Sequence, residues 1–98
     1  MDKIALREHL EKLRGSEDEI LVASYSGGND DGYVELDIEI PEEVNKHEFT
    51  EFIEKNLGYG SWAGEFEARG DVYWNGKEFT VSGEETQWES VEIRDFKL

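Results

Sequence analysis

Residues 33–40, Tyr-Val-Glu-Leu-Asp-Ile-Glu-Ile, alternate without a break. On an extended chain Val34, Leu36, Ile38 and Ile40 fall on one side, and Tyr33, Glu35, Asp37 and Glu39 on the other. Wound into a helix, the same residues would scatter around the whole circumference. The stretch therefore predicts a strand with one aliphatic face to bury and one acidic face to leave in water. Such a strand needs a second layer over its aliphatic side.

Two amphipathic helices are available to make that layer. Residues 2–14 read as the first, capped by Asp2 and ended by Gly15, with Leu6, Leu10 and Leu13 on one face. Arg7 with Glu11 and Glu8 with Lys12 have the spacing of surface ion pairs. The second follows Pro41: Asn45 and Glu48 form a capping box, Phe49, Phe52, Ile53 and Leu57 make the stripe, and Gly58 closes it.

The remaining periodic stretches are extended. Residues 19–26, with Ile20, Leu21, Val22 and Tyr25, precede the turn-rich segment 26–32 and predict a hairpin with 33–40. Residues 65–74 place Phe66, Ala68, Val72 and Trp74 on one face and Glu65, Glu67, Arg69, Asp71 and Tyr73 on the other. Asn75-Gly76 signals a two-residue hairpin turn, with Phe79 and Val81 continuing the inner face. Residues 86–94 predict a last strand with Val91 and Ile93 inward and Trp88 outward. The expected fold is an α+β domain of two layers in the order α-β-β-α-β-β-β. Its antiparallel sheet has about five strands, with two helices on one face. No linker or repeat divides the chain, so residues 1–98 read as a single domain.

Charge narrows the functional classes. The 98 residues carry 25 Asp and Glu against 10 Lys and Arg, a formal net charge of -15. Residues 1–15 hold four bases and three acids, whereas residues 16–98 hold six bases and 22 acids. A body this acidic repels nucleic acid and anionic membranes and attracts basic surfaces, so the expected partner is a basic protein. The charge also favours disorder, but 12% aromatic residues in periodic runs argue for a folded core. Cysteine is absent, which removes disulfides, thiol catalysis and zinc–thiolate sites and fits a cytoplasmic setting. No apolar segment reads as a signal peptide or reaches the roughly 20 residues of a membrane span.

The candidate site follows from strand parity. Glu35, Asp37, Glu39, Glu65, Glu67, Asp71 and Glu78 all fall on the face away from the helices, with Tyr73 and Trp88 as aromatic anchors among them. Same-face neighbours lie roughly 7 Å apart along a strand and roughly 4.8 Å apart across strands, so these carboxylates form a lattice on a rigid support. Duplex DNA also presents regular charge, one per roughly 1.7 Å of axis. Two readings stand. Either the face imitates nucleic acid in a protein's phosphate-binding groove, or it is the solvated side of an ordinary antiparallel sheet.

Other constellations carry less. The segment Gly27–Gly32 resembles a calcium loop but has Gly27 at the first position and Ile38 at the twelfth, where Asp and Glu are required. Tyr59 and Trp62, set among Gly58, Gly60 and Gly64, suit either an interface loop or a cap on the core. His9 and His47 have no metal-site spacing and read as solvated surface. Ser24, Ser26 and Ser61 lack a G-x-S-x-G context. No cofactor, metal or catalytic group is expected, and an enzyme is the least favoured class.

Three stretches together resemble a known pattern: Tyr-Ser-Gly-Gly-Asn-Asp-Asp-Gly at 25–32, the glycine-aromatic loop at 58–64 leading into Glu-Phe-Glu, and the region 80–88. Their order is similar to that in a poorly characterised family of small acidic α+β proteins of bacteria, phages and mobile elements. This chain departs from the family in having Gly-Gly-Asn-Asp-Asp-Gly at the turn and no Asn/Asp run in the loop. The resemblance implies the fold and no chemistry. In size and charge the chain is also similar to phage-encoded inhibitors of restriction and CRISPR systems. The leading expectation is a non-enzymatic acidic inhibitor, acting as a DNA mimic on the basic groove of a nucleic-acid-handling protein such as a phage-defence effector. An immunity protein against a basic toxin nuclease and a housekeeping acidic domain are the alternatives.

Overall fold

A computed structural model describes residues 2–28, 31–57, 67–85 and 95–98. The fold is α+β, with two helices over an antiparallel sheet. Helix α1 (Lys3–Arg14) is followed by strands β1 (Ile20–Gly28) and β2 (Asp31–Leu36). Helix α2 (Lys46–Leu57), then strands β3 (Glu67–Trp74) and β4 (Phe79–Glu85), complete the described elements. The strand order is β2-β1-β3-β4, so β1 pairs with its hairpin partner on one side and with β3 on the other. The strand expected at 86–94 lies outside the described residues. Among the described residues no helix is long and apolar enough to cross a membrane.

Both helices begin where their caps place them. The Asp2 carboxylate accepts from the Ile4 and Ala5 amides at 3.1 and 3.0 Å, and Asn45 accepts from the Glu48 amide at 3.0 Å. These bonds satisfy amides that have no partner within the helix. Val44 and Phe49, one residue before that cap and four after it, are both buried in the core, in the positions of a hydrophobic staple. Gly15, at φ 56, ends α1 and returns its N–H to the Glu11 carbonyl oxygen.

The core lies between the helices and one sheet face. Leu6 and Leu10 of α1, and Phe49, Ile53 and Leu57 of α2, are buried against Ala23, Tyr25, Ala68, Val72, Trp74 and Phe79. Leu13 departs from its expected place: it is 45% exposed, whereas Leu6 and Leu10 are fully buried.

Three details of the sheet also correct the reading from sequence. First, β1 carries a bulge. Leu21 opposes Tyr73 and Ala23 opposes Val72, so Val22 is the extra residue. Consecutive Val22 and Ala23 are then both buried, and Leu21 turns to the solvent side. Second, the first hairpin is tighter than the predicted 26–32 turn. Pairing continues to Gly28 opposite Asp31 and leaves two residues between. Third, β2 ends at Leu36, although the alternation runs on to Ile40. Ile38 and Ile40 remain partly buried against the core, while the Glu39 carbonyl oxygen leaves the sheet and accepts from His9 Nε2 at 2.6 Å. His9 is accordingly half-buried and ties this segment to α1, not simply solvated. His47 is exposed and lies 2.9 Å from Glu51.

The β3–β4 hairpin is present, with its turn centred one residue beyond the Asn75-Gly76 signal. Asn75 Oδ1 accepts from the Lys77 and Glu78 amides, both at 2.9 Å, and the Asn75 amide donates to the Glu78 carbonyl oxygen at 3.2 Å.

Glu11 joins the two layers. Its carboxylate accepts from Trp74 Nε1 at 3.0 Å and from Arg14 Nη2 at 2.7 Å. The expected Arg7 partner instead places its guanidinium 5.6 Å from the Trp74 ring centroid. The Arg14 hydrogen bond, aided by Trp74 and Arg7, holds the Glu11 carboxyl below its ordinary value against a smaller opposing effect of burial. A carboxyl depressed in the folded state stabilises the fold above its unfolded pKa, and that contribution disappears as pH falls through the folded pKa. Glu11→Gln keeps an acceptor for Trp74 and removes the charge facing Arg14. It is expected to be less stable than the parent at neutral pH, with the gap closing on acidification. Urea midpoints across the carboxylate range check this, and a gap that stays constant on acidification would refute it.

Candidate functional site

Pairing across the four strands fixes the solvent face of the sheet. Glu35, Ser24, Asp71 and Ser82 stand opposite one another on β2, β1, β3 and β4. One row along, Tyr33, Ser26 and Arg69 do the same. Between the rows, Tyr25, Gly70 and Gly83 belong to the helix side, which is why their neighbours face water.

Ser24 is the centre of this face. Its hydroxyl donates to Asp37 Oδ2 at 2.7 Å and lies 3.1 Å from Asp71 Oδ1. A hydroxyl has a single proton, so the two carboxylates share one donor and keep most of their accepting capacity for other groups. Asp37 follows the last residue of β2 and Asp71 lies on β3, so the serine links both across β1. Around it is an open depression of ≈ 520 Å³. Ser24 and Ser26 form its floor, with Tyr33 and Glu35 on the β2 side and Arg69 and Asp71 on the β3 side. Glu35 and Asp37 are exposed and Asp71 is half-buried.

The expected sites are thus distributed as follows. Glu35, Asp37 and Asp71 come together. Tyr73 shares their face, half-buried between Leu21 and Thr80. Glu39 and Glu78 do not join them. Glu39 lies beyond the end of β2, where the chain turns to His9, and Glu78 is held in the β3–β4 turn by Asn75. Glu67 begins β3 opposite Gly28. Glu65 and Trp88, like Tyr59 and Trp62, lie outside the described residues.

The face is a mixed one: three carboxylates around serines, bordered by Arg69 and by Tyr33, which is 57% exposed. Ser24 and Ser26 were legible as outward residues from their alternation with Tyr25, and Tyr33 from its alternation with Val34. Counting carboxylates alone passes over all three. Among the described residues no group of three or more His, Cys, Asp and Glu side chains gathers to hold a metal ion. Chemically the arrangement accepts hydrogen bonds and cations over a broad, open area, with an aromatic ring beside it. Comparison with protein-family models, with curated proteins and with solved structures finds no match.

Proposed function

We propose that this chain is a non-enzymatic acidic binding protein. Its partner is a basic protein, in our reading the phosphate-recognising groove of a nucleic-acid-handling protein such as a phage-defence effector. Occupying that groove would inhibit the partner. The observation that carries this reading is the grouping of Glu35 and Asp71, with exposed Tyr33, around an open depression, joined by Asp37 through the Ser24 hydroxyl, on a body of strongly negative charge. Carboxylates that share a single serine donor retain acceptor positions for Arg and Lys. Exposed tyrosine supplies contact area and a face for cations. The sheet holds these groups in place before binding, so little ordering is lost on association.

Charge steering would speed association and make the complex sensitive to salt. Capture from a lysate at low salt, followed by a salt gradient and competition with DNA, tests the reading directly. The expected result is one basic nucleic-acid-binding protein or complex, released by DNA. Release of a mixture of abundant basic proteins together at modest salt would sink it. With the partner in hand, Glu35→Lys combined with Asp37→Lys is expected to lower affinity by about tenfold or more. Both side chains are exposed and the Ser24 hydroxyl keeps Asp71 as an acceptor when Asp37 is lost, so the melting temperature should be little changed. Titration calorimetry gives the first quantity and thermal unfolding the second; unchanged affinity would exclude this face.

A further inference from the structure

Among the described strands, β2 lies at an edge of the sheet. It pairs with β1 on one side, and in the order β2-β1-β3-β4 no described strand lies on its other side. The hydrogen-bond alternation fixes which main-chain groups face outward. In an antiparallel pair, residues that bond their partner through both N–H and C=O alternate with residues whose groups turn away. The Asp37 amide donates to the Val22 carbonyl oxygen at 2.8 Å. Asp37 therefore bonds toward β1, and at steps of two so do Glu35, Tyr33 and Asp31. The N–H and C=O groups of Gly32, Val34 and Leu36 point off the free edge.

The side chains along this edge alternate in chemistry. Val34 and Leu36 face the helix side, half-buried at the margin of the core. Tyr33, Glu35 and Asp37 face the solvent side and are exposed. A strand laid against β2 would thus meet aliphatic groups on one face and carboxylates on the other.

We propose that the edge of β2 receives an extended segment of the basic partner as an added strand. That segment would hydrogen-bond to the main chain of Gly32, Val34 and Leu36, place apolar side chains beside Val34 and Leu36, and place Arg or Lys beside Glu35 and Asp37. The inference rests on the basic-partner reading and names its mode of attachment. Main-chain pairing gives affinity in such additions, and alternate side chains give selectivity. A second copy of this chain is the poorer occupant. Asp31, Glu35 and Asp37 are acidic and no base lies among residues 31–37, so two β2 edges would set carboxylates against carboxylates on chains that each carry a formal charge of -15. The same acids keep the edges of two copies apart.

The test uses the intact chain and two short end-blocked peptides of alternating arginine and valine. They have the same charge, but one is N-methylated at every residue whose amide would face β2. Backbone amide exchange at low salt is the readout. The unmethylated peptide is expected to slow exchange at Gly32, Val34 and Leu36 by about tenfold or more, and the methylated one to leave these amides unchanged and bind more weakly. Glu35→Lys is expected to weaken the unmethylated peptide's protection of the same amides. Equal binding of the two peptides, or protection confined to other residues, would overturn the edge while leaving a basic partner elsewhere on the acidic surface. Binding by neither peptide would also overturn the edge, and the basic-partner reading would then stand or fall by the salt-gradient capture and its DNA competition.

Discussion

Phe79→Ala is expected to cost about 3–5 kcal/mol, the range for truncating a buried aromatic residue. The position joins three separate parts of the core. The Phe79 ring lies 4.9 Å from Trp74, 5.0 Å from Phe96, 6.0 Å from Phe49 and 6.4 Å from Phe52, measured between centroids. These partners belong to β3, to the C-terminal segment and to α2. The main chain of Phe79 also exchanges two hydrogen bonds with Phe96, at 2.7 and 3.0 Å. Alanine keeps the main-chain pair and removes the ring, leaving a cavity that four aromatic neighbours cannot close without changing rotamer. Domains of this size have about 5–15 kcal/mol in total, so the variant loses a large share of the stability and, at the lower end of that range, stands at its unfolding transition at room temperature. A urea midpoint lowered far more than by an exposed substitution is the expected result. A shift comparable to that of an exposed substitution would mean that the aromatic cluster does not hold the layers together.

The outcome also matters for the acidic face. The residues that face a partner are set by the same strands that hold the core, because each outward residue lies between two inward ones. A destabilised core therefore weakens binding without any contact being removed. This is why the charge-reversal variant at Glu35 and Asp37 is to be read beside its own melting temperature.

Local pattern made much of this architecture legible. The Asp2 and Asn45 caps, the α2 stripe and the inward set Ala68, Val72, Trp74, Phe79 and Val81 all follow from spacing alone. What was not legible depended on pairing between distant segments. Ile20-Leu21-Val22-Ala23 is apolar throughout, so it has no period to read. The bulge that buries both Val22 and Ala23 is fixed only by the register with β3. Alternation through Ile40 correctly signals aliphatic contact at Ile38 and Ile40, yet it carries no information about where β1 stops accepting hydrogen bonds. The alternation consequently places Glu39 on the sheet, whereas its carbonyl oxygen accepts from His9 Nε2. Glu78 has the right parity for the outer face, but the Asn75 turn takes it off the sheet. The edge position of β2 follows from β1 pairing with β3, some fifty residues away in the chain, and no local rule reaches that far.

Gly83→Ala is expected to cost about 3 kcal/mol, at the upper end of the range for overpacking a well-filled site. Tyr25 on β1 faces the helix side opposite Gly70 on β3, which is paired in turn with Gly83 on β4. The buried tyrosine lies across this strip of bare backbone, filling space that side chains would otherwise occupy. A Cβ at Gly83 would overlap the Tyr25 hydroxyl and approach the Arg69 carbonyl oxygen to 2.8 Å. At Gly70 it would meet the Ser82 carbonyl oxygen and the Tyr25 hydroxyl, both at 2.5 Å. The two sites differ in what can yield. Removing the hydroxyl in Tyr25→Phe takes away the nearest obstacle at Gly83 and leaves the Arg69 carbonyl oxygen at 2.8 Å and a ring atom at 3.1 Å, whereas at Gly70 the Ser82 carbonyl oxygen stays at 2.5 Å. The double variant Tyr25→Phe with Gly83→Ala should therefore recover about 1 kcal/mol or more relative to additivity, and Tyr25→Phe with Gly70→Ala much less. Urea denaturation of the two cycles measures the difference. Additive behaviour at Gly83 would mean that the tyrosine does not lie over the glycines. It would also remove the reason for glycine at a position where a strand ordinarily carries a side chain.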